Sequence, residues 1–196
     1  MRATRVLLNL VVVAAAVVLS GCYVATKNLP AGNGPIADER LIGAWQALDE
    51  NGQPSKDATF LHFVKSGEDK PLFMVMIDDH VSATYEMHTI NVGNKQMFAV
   101  RGLSSTNGEE KPEINYILGY YEVKGADLYF NLLDPKKVKA LVHSGKLKGV
   151  AEDKDYGKVT LSGSPQELAS FFASTDPATL IGGEKPAHAR RVSQPK

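Results

Sequence analysis

Short apolar segments separated by turn residues follow one another along the chain from Leu41 onward. Their β-branched and aromatic side chains, often alternating with polar ones, are typical of strands. The pattern therefore predicts a mainly β fold. Its eight predicted strands lie at 42–48, 58–65, 72–78, 83–91, 96–103, 113–123, 127–133 and 156–162.

The separators between these segments favour tight turns. Asn51-Gly52, Gly93-Asn94 and Asn107-Gly108 each place Asn beside Gly, and both residue types tolerate the positive φ angles that short hairpins require. Consecutive antiparallel strands in an up-and-down meander are the simplest topology that this spacing allows.

Two helices are predicted late in the chain. Asp134-Pro135 offers an N-cap and a first-turn proline, and Gly145 stands where a helix commonly ends. Ser164 and Glu167 have the spacing of a capping box ahead of a second apolar stripe. Each helix would lay one apolar face on the sheet.

Both faces of the segment 72–78 are apolar, so neither face suits contact with water. One face carries Leu72, Met74 and Met76, and the other carries Phe73, Val75 and Ile77. A sheet that curls around an apolar interior, with a helix over part of its outside, would bury both. We therefore predict an eight-stranded antiparallel barrel, or a strongly curled meander, with two late helices. An interior of that size is filled by side chains or holds one small ligand.

The first residues have the order of a secretory signal. Arg2 and Arg5 precede the stretch 6–19, which is apolar except for Asn9. This stretch is shorter than the roughly 20 apolar residues that a membrane-spanning helix needs. We expect residues 1–21 to be a signal peptide that is removed.

Leu19-Ser20-Gly21-Cys22 resembles the bacterial lipobox, Leu-[Ser/Ala]-[Gly/Ala]-Cys, at all four positions. The resemblance implies cleavage before Cys22, a diacylglycerol thioether on its sulfur and an acyl chain such as palmitate on its new amino group. Cys22 is the only cysteine, so it has no disulfide partner within the chain. Tyr23 stands where lipoproteins retained at the inner membrane commonly have aspartate. We therefore expect a lipoprotein of the outer membrane that faces the periplasm.

Composition divides the rest of the chain. Residues 22–38 are rich in Pro, Gly and Asn and are predicted to be a flexible tether, residues 39–183 form the β domain, and residues 184–196 are a predicted disordered tail. The chain has 22 basic and 22 acidic residues, so no basic surplus indicates nucleic acid as a partner.

Leu41-Ile42-Gly43-Ala44-Trp45, on the first predicted strand, resembles the Gly-x-Trp motif of the lipocalin superfamily, or calycins. The resemblance spans about 41–175 and implies a barrel in which Trp45 packs across the closed end and Gly43 allows close approach. Two features depart from the family. An arginine near its last strand stacks on the tryptophan, yet no arginine lies between Arg101 and Arg190. The helix is also displaced from its usual place. We therefore predict lipocalin-like architecture and not membership.

Possible metal ligands occur around one predicted hairpin. Asp78, Asp79 and His80 fall at the turn, and Glu86 and His88 share a face of the next strand. Such oxygen and nitrogen ligands suit a transition metal at fixed geometry. Turn-forming aspartates and a half-exposed strand face explain the same residues, and we predict neither a metal nor a cofactor.

The sequence contains no nucleophile motif. Ser144 lacks the first glycine of a G-x-S-x-G elbow, and Ser164 is a predicted helix cap. We expect no enzyme activity. A hydrolase that gathers His80, His88, Asp79 and a serine in one cleft remains the last alternative.

Four side chains could line an apolar ligand cavity, namely Trp45, Met74, Met76 and Met87, although ordinary core packing would use the same residues. We expect a non-catalytic envelope lipoprotein that is held to the membrane through Cys22 and binds an apolar small molecule or lipid in its barrel. The alternative is a structural or protein-interaction module with a filled core. A carrier needs an apolar lumen with an open mouth, whereas a module of the second kind needs an exposed apolar patch or strand edge.

Overall fold

The computed structural model describes residues 23–33, 37–56, 59–79, 81–105, 115–152, 157–182 and 185–192. These ranges contain eleven strands and two α-helices. The strands are β1 (Val24–Thr26), β2 (Gly43–Leu48), β3 (Phe60–Lys65), β4 (Leu72–Ile77), β5 (Ser82–Val92), β6 (Lys95–Ser105), β7 (Tyr116–Lys124), β8 (Asp127–Leu132), β9 (Gly149–Ala151), β10 (Val159–Leu161) and β11 (Ala187–Arg191). The helices are α1 (Pro135–His143) and α2 (Pro165–Ser174), and Glu39–Leu41 and Pro177–Thr179 form short 3-10 turns.

Eight antiparallel strands close into a barrel. Strands β2 to β8 pair in chain order, and β11 lies between β8 and β2 to complete the ring. The predicted eight-stranded antiparallel barrel with two late helices is therefore confirmed. The first seven predicted strands correspond to β2 through β8, because each combines β-branched or aromatic residues with turn residues at its ends.

The eighth barrel strand is not the predicted one. The segment predicted at 156–162 contains β10, which pairs with β1 and β9 outside the ring. The barrel is closed instead by β11, which lies in the stretch predicted to be a disordered tail. Ala, His and Arg have little intrinsic preference for strands, but β11 pairs on both sides with barrel strands, and this context decides its conformation.

The predicted flexible tether is also partly wrong. Within it, β1 runs parallel to β10 and antiparallel to β7, and Tyr23, Val24 and Ala25 are all buried. Three residues are too few to give a sequence pattern, yet their burial fixes the chain to the sheet from Tyr23 onward.

Two apolar cores lie on either side of the barrel wall. The inner core fills the barrel with Trp45, Leu61, Phe63, Leu72 and other inward side chains. The outer core joins the outside of β5, β6 and β7 to the two helices and to β1 and β10. The helices therefore cover a wall that the sequence did not indicate, and among the described residues they do not cover the outside of β4.

Side chains fix both helices in place. The carboxylate of Asp134 accepts from the first turn of α1, and Ser164 and Glu167 form the predicted capping box of α2. The Lys95 ammonium donates to three carbonyl oxygens at the end of α2, those of Phe172, Ala173 and Thr175, over 2.6–2.8 Å. Within the described ranges, neither helix has the length and apolar character needed to cross a membrane.

Candidate functional site

One end of the barrel is closed around Trp45, which is fully buried. The indole Nε1 donates to the carbonyl oxygen of Leu41 over 2.7 Å, and the Arg191 guanidinium lies 4.2 Å from the centre of the indole ring. Arg191 also donates to the carbonyl oxygens of Ile42, over 2.6 Å, and Arg40. This closed end (Trp45, Arg191 and Leu41) is a stacked and hydrogen-bonded plug.

The position of Arg191 shows that the expected absence of an arginine stacked on Trp45 was wrong. An arginine that stacks on Trp45 does exist, and it lies on the last barrel strand. Its strand was not recognised, so its place could not be predicted. Gly43 has a φ of +120°, and a Cβ there would lie 3.0 Å from a guanidinium nitrogen of Arg191, which gives the predicted close approach its physical reason.

A buried carboxylate lies beside the closed end. Asp38 accepts from the hydroxyl of Tyr121 over 2.8 Å and from the guanidinium of Arg40 over 2.6 Å. Burial alone would raise the pKa of Asp38, but these hydrogen bonds outweigh it and lower that pKa. A polar surface groove of about 390 Å³ opens here between Asp38, Arg40 and the β3–β4 turn. Its charged lining does not suit an apolar ligand.

The four residues proposed as an apolar lining all lie in the barrel core. Trp45, Met76 and Met87 are buried, and Met74 packs against them while partly exposed. Large side chains from facing strands, such as Phe63 and Phe98, occupy the same interior. The barrel is therefore packed with side chains around these positions.

A polar cluster occupies the outer wall of β5, β6 and β7 and is formed by Glu86, His88, Arg101 and Tyr116. Glu86 accepts from Tyr116 over 2.7 Å and from Arg101 over 2.8 Å, and it lies 2.9 Å from Nε2 of His88. The Arg101 guanidinium also lies 5.1 Å from the centre of the Tyr116 ring. Two-residue alternation predicted that Glu86 and His88 share a face, but only the strand register brings Arg101 and Tyr116 to them.

The charges of this polar cluster are fixed by its contacts. Burial would raise the pKa of Glu86, but hydrogen bonds from Arg101, Tyr116 and His88 lower it to about 2. Burial and the Glu86 charge raise the pKa of Tyr116 to about 12. At neutral pH the carboxylate is ionised and the phenol is protonated, so neither is suited to accept or release a proton as a catalyst.

Of the other residues considered as ligands or nucleophiles, Asp78, Ser144 and Ser164 make local hydrogen bonds, and Asp79 is exposed. The Asp78 carboxylate accepts from the Val81 amide over 2.7 Å, as expected of a turn-forming aspartate. The Ser144 hydroxyl donates to Leu141 at the end of α1, and Ser164 caps α2. His80 lies outside the described residues. In the part of the chain that the structure describes, no three His, Cys, Asp or Glu side chains are grouped to hold a metal ion.

The outer face of β3 and β4 carries an exposed apolar stripe, formed by Phe60, Val64, Phe73, Val75 and Ile77. Val64, Phe73 and Ile77 are 42%, 38% and 46% exposed. Val64 pairs with Phe73 across the two strands, Phe60 pairs with Ile77, and the exposed His62 lies opposite Val75, so the apolar side chains form one surface that a single histidine interrupts. The sequence indicated that this face is apolar, but it did not indicate that the helices leave it bare.

Comparisons with protein-family models, curated proteins and solved structures gave no match to this chain. The candidate sites are therefore interpreted from their own geometry.

Proposed function

We propose that this chain is a non-catalytic lipoprotein of the bacterial envelope, held to the outer membrane through lipid on Cys22 and facing the periplasm. Its barrel is filled, and it binds another envelope protein through the apolar stripe. This is the protein-interaction alternative of the sequence analysis, and the packing of the interior makes it the better supported one.

The observation that carries this choice is the distribution of apolar surface. The inner core is packed from the closed end through Phe63, Met76 and Met87, while three large apolar side chains of the stripe remain more than a third exposed. Contiguous exposed apolar side chains are typical of interaction surfaces. They cost solubility unless a partner covers them.

The lipocalin-like features support the barrel architecture without requiring a carrier. In that superfamily an arginine near the last strand stacks on the tryptophan, and Arg191 stacks on Trp45 in the same way. A plug of this kind closes a barrel whether or not its interior holds a ligand.

A carrier of an apolar molecule remains the second candidate, because one observation favours it. Met74, Tyr85 and Phe130 pack against the inner core but are only partly buried. A slim apolar chain could contact these three side chains.

Site-specific crosslinking in the living bacterium tests the stripe. A photoreactive residue replacing Phe73 should form one discrete adduct with an envelope protein, and Val64→Ser together with Ile77→Ser in the same chain should abolish it. The matched control is the same probe at Glu122, an exposed position on β7, which should give no such adduct. Adducts of equal yield and pattern at both positions would rule out the stripe as a binding surface.

A further inference from the structure

Strand β1 fixes the point where the anchor joins the domain. The amide of Val159 donates to the carbonyl oxygen of Tyr23 over 3.0 Å, and Tyr23 and Ala25 lie in the inner core. Cys22 is the next residue in the chain. Lipid on its sulfur would therefore be attached one residue from the barrel wall, with no long tether between them.

Two lysines are connected to this attachment point, one directly and one through Glu152. The Lys158 ammonium lies 4.8 Å from the centre of the Tyr23 ring, and the carbonyl oxygen of Lys158 accepts from the Glu152 amide over 3.1 Å. The Lys139 ammonium in turn donates to the carbonyl oxygen of Glu152 over 2.8 Å. Tyr23 itself is buried and Glu152 is acidic, so the basic groups on this side are the two lysines (Lys139 and Lys158), which we call the anchor-side group.

We propose that the anchor-side group rests on the anionic phospholipid head groups of the membrane that holds the acyl chains, so that the barrel has one fixed orientation. This inference rests on the proposed lipidation of Cys22. Both lysines keep their contacts within the protein, and the positive charge of each ammonium attracts the phosphates. Basic residues close to an anionic surface are attracted to it, and the attraction decreases within a Debye length.

The barrel order then decides what the apolar stripe faces. Around the ring of eight strands, β3 is four places from β7 and β4 is four places from β8, and β1 is paired to β7. The stripe therefore lies on the opposite side of the barrel from the anchor-side group. It points away from the lipid, so a protein partner in the periplasm fits it better than insertion into the bilayer does.

Spin labels on the lipidated protein test this orientation. The mature chain is reconstituted in vesicles of phosphatidylethanolamine and phosphatidylglycerol, with one label at Glu152→Cys or at His62→Cys. Both positions are exposed, and acylated Cys22 offers no thiol to the label. We expect the label at 152 to collide more often with dissolved oxygen than with a water-soluble nickel chelate. The label at 62, on the stripe side, should show the reverse.

Three results separate the possible failures. Equal collision ratios at the two positions, in protein that floats with the vesicles, would overturn the fixed orientation alone. Failure to float would overturn the lipid anchor as well. Lys139→Gln combined with Lys158→Gln should remove the difference between the labels, whereas the control Lys70→Gln, on the β3–β4 turn, should keep it. An unchanged difference in the double variant would overturn the role of the two lysines.

Discussion

Trp45 and Arg191 form the contact that closes the barrel, although 146 positions separate them in the sequence. A guanidinium stacked on a buried indole contributes about 0.5–2 kcal/mol, and each hydrogen bond to a carbonyl that it also makes contributes about 1 kcal/mol. The pair therefore links the first and last barrel strands with more than apolar contact.

Arg191→Ala should lower the free energy of unfolding by about 2–4 kcal/mol, because the stack and both carbonyl contacts are lost. Arg191→Lys should recover part of this, since a lysine keeps the charge but lacks the planar fork. The measurement is urea unfolding followed by the fluorescence of Trp45, the only tryptophan.

The neighbouring residue provides the control for that prediction. Arg190 is on the same strand but more than half exposed, and it pairs with Asp127 at the surface. Arg190→Ala should cost less than about 1 kcal/mol. Equal effects of the two substitutions would contradict the role assigned to Arg191.

Glu86 should make stability depend on pH. Its pKa is about 2 in the folded chain and 4.5 without these contacts, so the folded state binds its proton less tightly than the unfolded state. The stabilisation is complete above about pH 5 and is lost as the pH falls through 4.5 toward 2. The two pKa values correspond to about 3 kcal/mol.

The difference in unfolding free energy between the wild type and Glu86→Gln should therefore shrink as the pH is lowered from about 6 to about 3. Glu122→Gln is the control, because Glu122 pairs with Lys124 at the surface and its effect should stay small across this range. A wild-type advantage over Glu86→Gln that is constant with pH would contradict the charge assigned to Glu86.

At the scale of elements, β11 has the same importance as any central strand. It pairs with both β2 and β8, so a chain without it would leave two strand edges and the inner core open to water. Barrels remain closed only when every strand is present.

Ending the chain after Gly182, which removes β11, should abolish cooperative unfolding and expose Trp45. Ending it after Val192 leaves β11 whole and should preserve the wild-type transition. Circular dichroism and tryptophan fluorescence during thermal unfolding measure both. Cooperative unfolding of the shorter chain, with Trp45 still buried, would show that β11 is not required.

The sequence predicted those strands and helices whose own residues show a recognisable pattern. Strands β2 to β8 combine apolar alternation with turn residues at their ends, and Asp134 and Ser164 are strong helix caps. Strands β1 and β11 lack such a signal, since β1 is very short and the Ala-His-Ala-Arg-Arg of β11 becomes a strand only between two partners.

The candidate sites also combine residues that a local sequence pattern predicts with residues that only tertiary pairing brings in. Gly43 and Trp45 were predicted from a local motif, and Glu86 and His88 from two-residue alternation. Arg191 and Tyr116 join those sites through pairings between distant strands, which no local pattern specifies. The side of the barrel that the helices cover was likewise decided by tertiary packing.

At the scale of the whole molecule, lipid on Cys22 would determine where the protein acts. Cells given an alkyne fatty acid should label the wild type, and Cys22→Ala should abolish the label and the acyl mass. Ser20→Ala still fits the lipobox pattern and should keep the label. A labelled Cys22→Ala variant, or a wild type without acyl mass, would refute the lipoprotein interpretation.

The packed interior is what separates an interaction module from a carrier. Because β1 and β11 lie near the two ends of the described chain, the interior must be examined in a protein that keeps both strands, from Tyr23 onward. Export of that chain behind a cleavable signal peptide without a lipobox gives it access to the apolar molecules of the periplasm. Because it then carries no lipid, it can be purified without detergent.

Native mass spectrometry of this chain, purified from the periplasm of its own host, tests the central claim most directly. A filled barrel predicts the mass of the polypeptide alone. Met76→Ala, which opens a cavity in the inner core, is the reference for a barrel that can take up a small apolar molecule. A stoichiometric apolar molecule of defined mass on the unsubstituted chain would contradict the filled barrel and identify the protein as a carrier.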